Sequence, residues 1–118
     1  MKKLFALAAA AALVSVSGAA VAADDGQNRV VKVENISNQQ LNYLYASPIT
    51  SKTWEEDLLG ERTLSRGESI DADIDNGTNE CHYDLKAVMA DGKEVIRRNI
   101  NVCEISKWTI GDSGDSIG

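Results

Sequence analysis

The segment from Cys81 to Cys103 reads CHYDLKAVMADGKEVIRRNINVC, and its pattern sets the fold class. In its first half, every second residue is apolar or aromatic: Tyr83, Leu85, Ala87 and Met89. This two-residue period is that of a β-strand with one buried face. Asp91-Gly92 then gives a strong turn signal, and residues 95–102 return as a partner strand. The segment therefore predicts a β-hairpin.

The two cysteines are predicted to form a disulfide, because folding about Gly92 brings Cys81 opposite Cys103 at the open end of this hairpin. Closing a loop of about 22 residues would stabilise the fold by roughly 3 kcal/mol. Two sulfurs at this spacing do not provide the four ligands of a zinc site. A thiol nucleophile would need a free thiol in an oxidising compartment.

The second strand contains a conflict of parity. In a regular strand, one face would hold Ile96, Ile100 and Val102. Cys103 would then point to the opposite face. We therefore predict a β-bulge near the end of this strand.

The N-terminus has the features of a secretory signal over residues 1–22. Lys2 and Lys3 precede an apolar stretch over 4–16, and Ala20-Val21-Ala22 matches the small-x-small pattern of a cleavage site. The apolar stretch is too short for a membrane span. We predict cleavage after Ala22, which leaves 96 residues in the periplasm or outside the cell, with no membrane span after cleavage.

The exported part is predicted to be one all-β domain, because short alternating segments recur along it. The predicted segments are 29–36, 41–47, 68–75, 81–89, 95–102 and 105–110, with Leu41, Tyr43 and Tyr45 on one face of the second. A short helical turn is compatible with 53–59. Six to seven strands of this kind predict a small antiparallel β-sandwich or Greek-key barrel over 29–110. Residues 23–28 and 111–118 have the composition of a disordered lead-in and tail.

The charge balance excludes some partners. All eighteen acidic residues lie after Ala22, while Lys2 and Lys3 are removed with the signal, so the exported part has a net charge of about −8. Nucleic acids and anionic lipids require basic surfaces. An unknown protein or envelope component is the expected partner, and neither a cofactor nor an oligomeric state is indicated.

Trp54 is the residue that core formation explains least. It stands before three acidic residues in a segment without strand periodicity. An aromatic side chain in a loop is either a contact residue for a partner or a cap on one end of a sandwich. Both interpretations stay open, with Leu58 and Leu59 beneath the ring in the second.

Asp71, Asp73 and Asp75 are weak candidates for a calcium site. Counted from Asp71, the positions of the EF-hand glycine and bidentate glutamate hold Asn76 and His82, so that motif is absent. A looser oxygen cage is the alternative functional hypothesis, a calcium-dependent envelope module. A solvated acidic strand face is the simpler interpretation.

A hydrolase is the least favoured hypothesis. Residues 111–114 read Gly-Asp-Ser-Gly, as in serine proteases, but the exported part has one histidine, His82, and is too short for a double barrel. No catalytic residue is predicted.

The order of short motifs resembles a group of small exported bacterial proteins. The pattern comprises Trp54-x-x-Asp57-Leu58-Leu59-Gly60, then Leu64-x-x-Gly67, Cys81-x-Tyr83-Asp84-Leu85, Asp91-Gly92 and Val102-Cys103-Glu104, and the similarity extends from Val30 to about Ile110. The resemblance implies a domain of this length without an established activity. Together, these observations predict a non-enzymatic binding or structural module.

Overall fold

A computed structural model describes residues 25–118, which form seven strands and no helix. The strands are β1 (Val30–Asn35), β2 (Leu41–Pro48), β3 (Ser69–Asp73), β4 (His82–Met89), β5 (Glu94–Asn101), β6 (Lys107–Ile110) and β7 (Asp115–Ile117). The predicted signal over 1–22 and its cleavage site lie outside the described residues.

The strands form two sheets that pack as a sandwich. One sheet has the order β3-β1-β6-β7 and the other has the order β2-β4-β5. The all-β prediction is confirmed, and the sandwich rather than the barrel is observed. One pair differs from the antiparallel prediction, because β1 and β6 run parallel. Chain segments that cross between the sheets separate these two strands in sequence, so no tight hairpin constrains their direction.

Alternating side chains from both sheets fill the core. Its fully buried members include Val31, Leu41, Leu44, Leu64, Tyr83, Leu85, Ala87, Trp108 and Ile110. The inward face predicted for β4 is confirmed at every position. Ala72 and Ile74, in the segment predicted as the third strand, are also buried.

The predicted disulfide is present between Cys81 and Cys103, whose Cα atoms lie 5.4 Å apart. The Val102 amide donates a hydrogen bond to the Cys81 carbonyl at 2.9 Å, so the bridge closes the open end of the β4–β5 hairpin. The turn at the other end places Gly92 at a φ of 88°, in the left-handed region that favours glycine.

The predicted bulge is also present, near the end of β5. Tyr83 pairs with Ile100 and Leu85 pairs with Arg97, so β5 has one extra residue between these pairs. Asn99 adopts a positive φ of 55°, and its amide donates to Asp84 Oδ1 at 2.9 Å. Because the bulge follows Ile96, the prediction that Ile96 shares a face with Ile100 is wrong.

The C-terminal segment differs from the predicted disordered tail. Asp115–Ile117 forms β7 and pairs with β6 in an antiparallel register. The Trp108 indole N–H donates to Asp115 Oδ2 at 2.6 Å, and Arg97 Nη1 donates to the same oxygen at 2.8 Å. These bonds to one carboxylate connect β5, β6 and β7. They explain how a segment of low hydrophobicity becomes an edge strand.

The end of the predicted lead-in is also held in place. Arg29 is buried, and its guanidinium forms two hydrogen bonds with the Asp25 carboxylate, at 2.9 and 2.6 Å. Arg29 Nε donates to the Glu80 carbonyl at 2.7 Å. The Asp25 carboxylate therefore accepts hydrogen bonds from a buried guanidinium that packs beside the disulfide.

This ion pair makes stability depend on pH. Hydrogen bonds from Arg29 lower the pKa of Asp25 from 3.8 to about 2. A lowered carboxyl pKa adds stability above pH 3.8 that is lost as the pH falls toward 2. We expect Asp25→Asn to melt below the wild type at pH 7 and to melt with it near pH 2. Thermal unfolding followed by circular dichroism measures the difference.

Asp71→Asn is the control for this prediction, since it removes an exposed carboxylate from β3. The difference in melting temperature between Asp71→Asn and the wild type should not change with pH in the same way. A difference between Asp25→Asn and the wild type that stays constant from pH 5 to pH 2 would refute the role of the ion pair.

Candidate binding surface

The outward face of the β2-β4-β5 sheet carries most of the aromatic residues. Tyr43, Tyr45 and Trp54 are three of the five aromatic residues in the described part of the chain, and all three retain solvent exposure. Together with Lys86, which lies between two of the rings, we call them the aromatic face. The other two aromatic residues, Tyr83 and Trp108, are fully buried in the core.

The two tyrosines face outward because β2 contains an extra residue. Leu41 pairs with Met89 and Tyr43 pairs with Val88, so two steps along β2 match one step along β4. The extra residue reverses the parity of β2 after Leu41. The prediction that Leu41 and the tyrosines share a face is therefore wrong. Leu41 is buried, whereas the side chain of Tyr43 is 47% exposed.

The segment containing Trp54 lies along the edge of β2 and forms no helix. The Ser47 hydroxyl donates to the Thr53 carbonyl at 2.8 Å. Asp57 Oδ1 accepts from the Leu44 amide at 2.9 Å, so the side chain takes the place of a strand carbonyl. The Leu58 amide completes the contact by donating to the Leu44 carbonyl at 2.7 Å. The helical turn with which 53–59 is compatible does not form, because Asp57 and Leu58 bond to the sheet edge instead.

Trp54 lies on the sheet face and does not cap an end of the sandwich. Lys86 Nζ is 4.8 Å from the centre of the Trp54 ring, and Arg98 Cζ is 5.7 Å from it. Leu59 of the same segment is buried in the core. Leu59 therefore fills the core, whereas Trp54 stays at the surface.

Lys86 organises the rings of the aromatic face. Its ammonium lies 5.1 Å from the centre of the Tyr45 ring as well as 4.8 Å from Trp54, and its side chain is 15% exposed. The rings of Tyr43 and Tyr45 are 6.2 Å apart and nearly parallel. Cation–π contacts of this kind restrain the side chains that form them. Burial and the nearby Asp57 raise the pKa of Tyr45.

The charge of this face contrasts with the acidic character of the whole chain. Lys86 and Arg98 are its cations, and each has an acidic neighbour, Glu94 at 3.9 Å and Asp84 at 3.0 Å. These four side chains together carry no net charge, whereas the whole sequence is acidic. The arrangement suits a surface that excludes water through aromatic rings and forms polar contacts at its margin.

The acidic candidates on β3 lie elsewhere. Asp71 faces outward opposite Lys32, its cross-strand partner. Asp73 Oδ1 accepts from the Asp75 amide, and Asp75 Oδ1 accepts from the Gly77 amide, so both carboxylates hold the turn after β3. Among residues 25–118, no group of three or more His, Cys, Asp or Glu side chains converges as a metal site.

A cleft of about 470 Å³ opens between the segment that follows β2 and the turn that follows β3. Four carboxylates line it, from Glu55, Glu56, Asp73 and Asp75, together with apolar side chains that include Leu58. In the described part of the chain, no buried side-chain polar atom lacks a hydrogen-bond partner. The cleft thus presents negative charge without an unsatisfied group that would indicate a ligand.

The residues of the hydrolase motif are not brought together. His82 begins β4 beside the disulfide, whereas Ser113 follows Asp112, which accepts from the Asn38 amide at the opposite end of the sandwich. The eight residues of β4 span roughly 23 Å between these ends. The arrangement provides no base within reach of the serine hydroxyl.

Comparison with known proteins finds no match. No protein-family model matches the chain, and no curated protein or solved structure gives a significant match. In the described residues, no helix is long and apolar enough to cross a membrane.

Proposed function

We propose that this protein is a non-enzymatic binding module of the periplasm or cell exterior, and that the aromatic face holds a protein of the cell envelope. The observation that carries the proposal is the outward position of Tyr43, Tyr45 and Trp54 in a domain with only two other aromatic residues in its described part. A small domain gains core stability by burying aromatic residues. The position of three aromatic residues outside the core therefore favours a role in contact with a partner.

The chemistry of the face supports a protein partner. Tyrosine, tryptophan and arginine are enriched among the residues that dominate the energy of protein interfaces. Trp54 and Arg98 lie in contact here, and Lys86 holds the rings of Tyr45 and Trp54 in place. Fixed side chains lose little conformational entropy on binding. The predicted signal peptide and the disulfide support the proposed location.

Photo-crosslinking in the producing bacterium tests this proposal. A benzophenone amino acid placed at Tyr43 should give one discrete adduct, and protease treatment should destroy the attached species. Val30 is the matched control site, because it is 39% exposed on the outward face of the other sheet. We expect no adduct there, and we expect Trp54→Ala to reduce the Tyr43 adduct by at least about fivefold, since a central aromatic contact contributes 1 kcal/mol or more.

Two outcomes would contradict the proposal. Equal adducts at Tyr43 and Val30 would show that the aromatic face has no special role. A Tyr43 adduct that resists protease would show that the partner is not a protein. Circular dichroism of Trp54→Ala confirms that the variant is folded.

A further inference from the structure

β5 is the open edge of the three-stranded sheet. The opposite edge, β2, is covered, because Leu41 exchanges two hydrogen bonds of 2.9 Å with Leu64 and Leu44 bonds to Leu58. β5 lies at the other end of the strand order, and within residues 25–118 no strand pairs with its outer side. An exposed strand edge is a template for pairing with another strand.

The hydrogen-bonding pattern identifies the backbone groups that point away from the sheet. The Met89 amide donates to the Lys93 carbonyl at 2.8 Å next to the turn. Because bonded and non-bonded pairs alternate in an antiparallel ladder, Glu94, Ile96 and Arg98 direct their N–H and C=O groups outward. The same three residues place their side chains on the outward face of the sheet.

The charges on this edge are self-complementary. Ile96 is 36% exposed, and the side chains of Glu94 and Arg98, two positions before and after it, are 49% and 65% exposed. If two copies of β5 pair antiparallel about Ile96, each Glu94 lies opposite Arg98 of the second copy, and the two Ile96 side chains meet. Charges of one sign on an edge discourage pairing, whereas opposite charges directly across strands favour it.

We propose that the protein forms a twofold dimer through β5, which joins two three-stranded sheets into one six-stranded sheet. A twofold axis requires a self-complementary surface, and the Glu94-Ile96-Arg98 arrangement provides one. The bulge at Asn99 ends the paired region, which limits it to residues 94–98. The dimer would place the aromatic faces of both copies on the same side of the sheet, but it does not depend on what those faces bind.

Sedimentation equilibrium of the oxidised exported protein tests the dimer. The wild type should show twice the monomer mass at high concentration. Ile96→Lys should raise the dissociation constant at least about tenfold, because two lysines would meet across the axis. Val30→Lys changes a similarly exposed residue on the other sheet and should leave the dissociation constant unchanged.

Charge reversal tests the register. Glu94→Arg and Arg98→Glu should each weaken self-association, since each places like charges opposite one another. An equimolar mixture of these two variants should form a heterodimer, because both charge pairs are then complementary. A monomeric wild type at about 1 mM, or a dimer that survives Ile96→Lys, would overturn the proposal. A mixture of the two folded variants that stays monomeric would overturn the proposed pairing of Glu94 with Arg98. If Arg98→Glu does not fold, Ile96→Lys still tests whether β5 is the dimer contact.

Discussion

Replacing both Cys81 and Cys103 with serine should lower the free energy of unfolding by about 3 kcal/mol. The bridge spans 22 positions of sequence and restricts the unfolded chain. It also fixes the hairpin end against which Arg29 packs, since Arg29 Nη2 lies 3.7 Å from Cys81 Sγ. A domain of this size has a small core, so this loss is a large part of its total stability.

Urea denaturation followed by tryptophan fluorescence measures this loss. The wild-type protein treated with reductant in urea is the matched control, and it should unfold at a midpoint close to that of the double serine variant. Coincident midpoints for the oxidised wild type and the serine variant would show that the bridge contributes little.

Asp115→Ala should destabilise the domain by about 2 to 3 kcal/mol, which is the second-largest effect that we expect. The Trp108 side chain is fully buried, and its N–H has Asp115 Oδ2 as its acceptor at 2.6 Å. Without that oxygen, a buried donor loses its partner and Arg97 loses its ion pair at 2.8 Å. β7 should then detach from β6, because this carboxylate connects it to both sheets.

Asp115→Asn is the matched control for the alanine variant. It keeps an amide oxygen that can accept from Trp108 and loses only the charge opposite Arg97, so we expect about half the destabilisation of the alanine variant or less. Chemical denaturation gives both values, and hydrogen exchange of the β7 amides reports detachment. Equal stability of the alanine variant and the wild type would contradict the assigned role of Asp115.

The hairpin and its disulfide were predictable because local patterns determine them. β4 alternates without interruption, and Asp91-Gly92 forces the chain to reverse. Cys103 has a parity that a regular strand cannot accommodate, which predicted the bulge. The position of the bulge was not predictable, because Asn99 and Asn101 both lie near the end of the strand and both belong to a residue type that tolerates a positive φ.

The outward face of β2 was not predictable for a related reason. Leu41, Tyr43 and Tyr45 alternate as a single face would, and only the pairing with β4 shows the extra residue between Leu41 and Tyr43. Register depends on the partner strand, and a shift of one residue moves every later side chain to the other face. Trp54 was identified from sequence as a contact candidate, whereas the two tyrosines beside it were missed.

β7 was not predictable, because it depends on contacts that the local sequence does not show. Its carboxylate, Asp115, bonds to Arg97 on the other sheet and to the Trp108 indole N–H. Composition alone describes residues 111–118 as small and polar, and it contains no information on these two partners. The parallel pairing of β1 with β6 likewise joins two segments that are far apart in the sequence, so local patterns do not predict it.

Tyrosine nitration by tetranitromethane, mapped by mass spectrometry, tests most directly the claim that the aromatic face is displayed to solvent. The reagent attacks the phenolate form of exposed tyrosines. Tyr43 should react first, and Tyr45 should react more slowly because it is partly buried and its pKa is raised. Tyr83 should stay unmodified in the folded protein, since it is fully buried and burial raises its pKa. Nitration of Tyr83 with protection of Tyr43 would contradict the account.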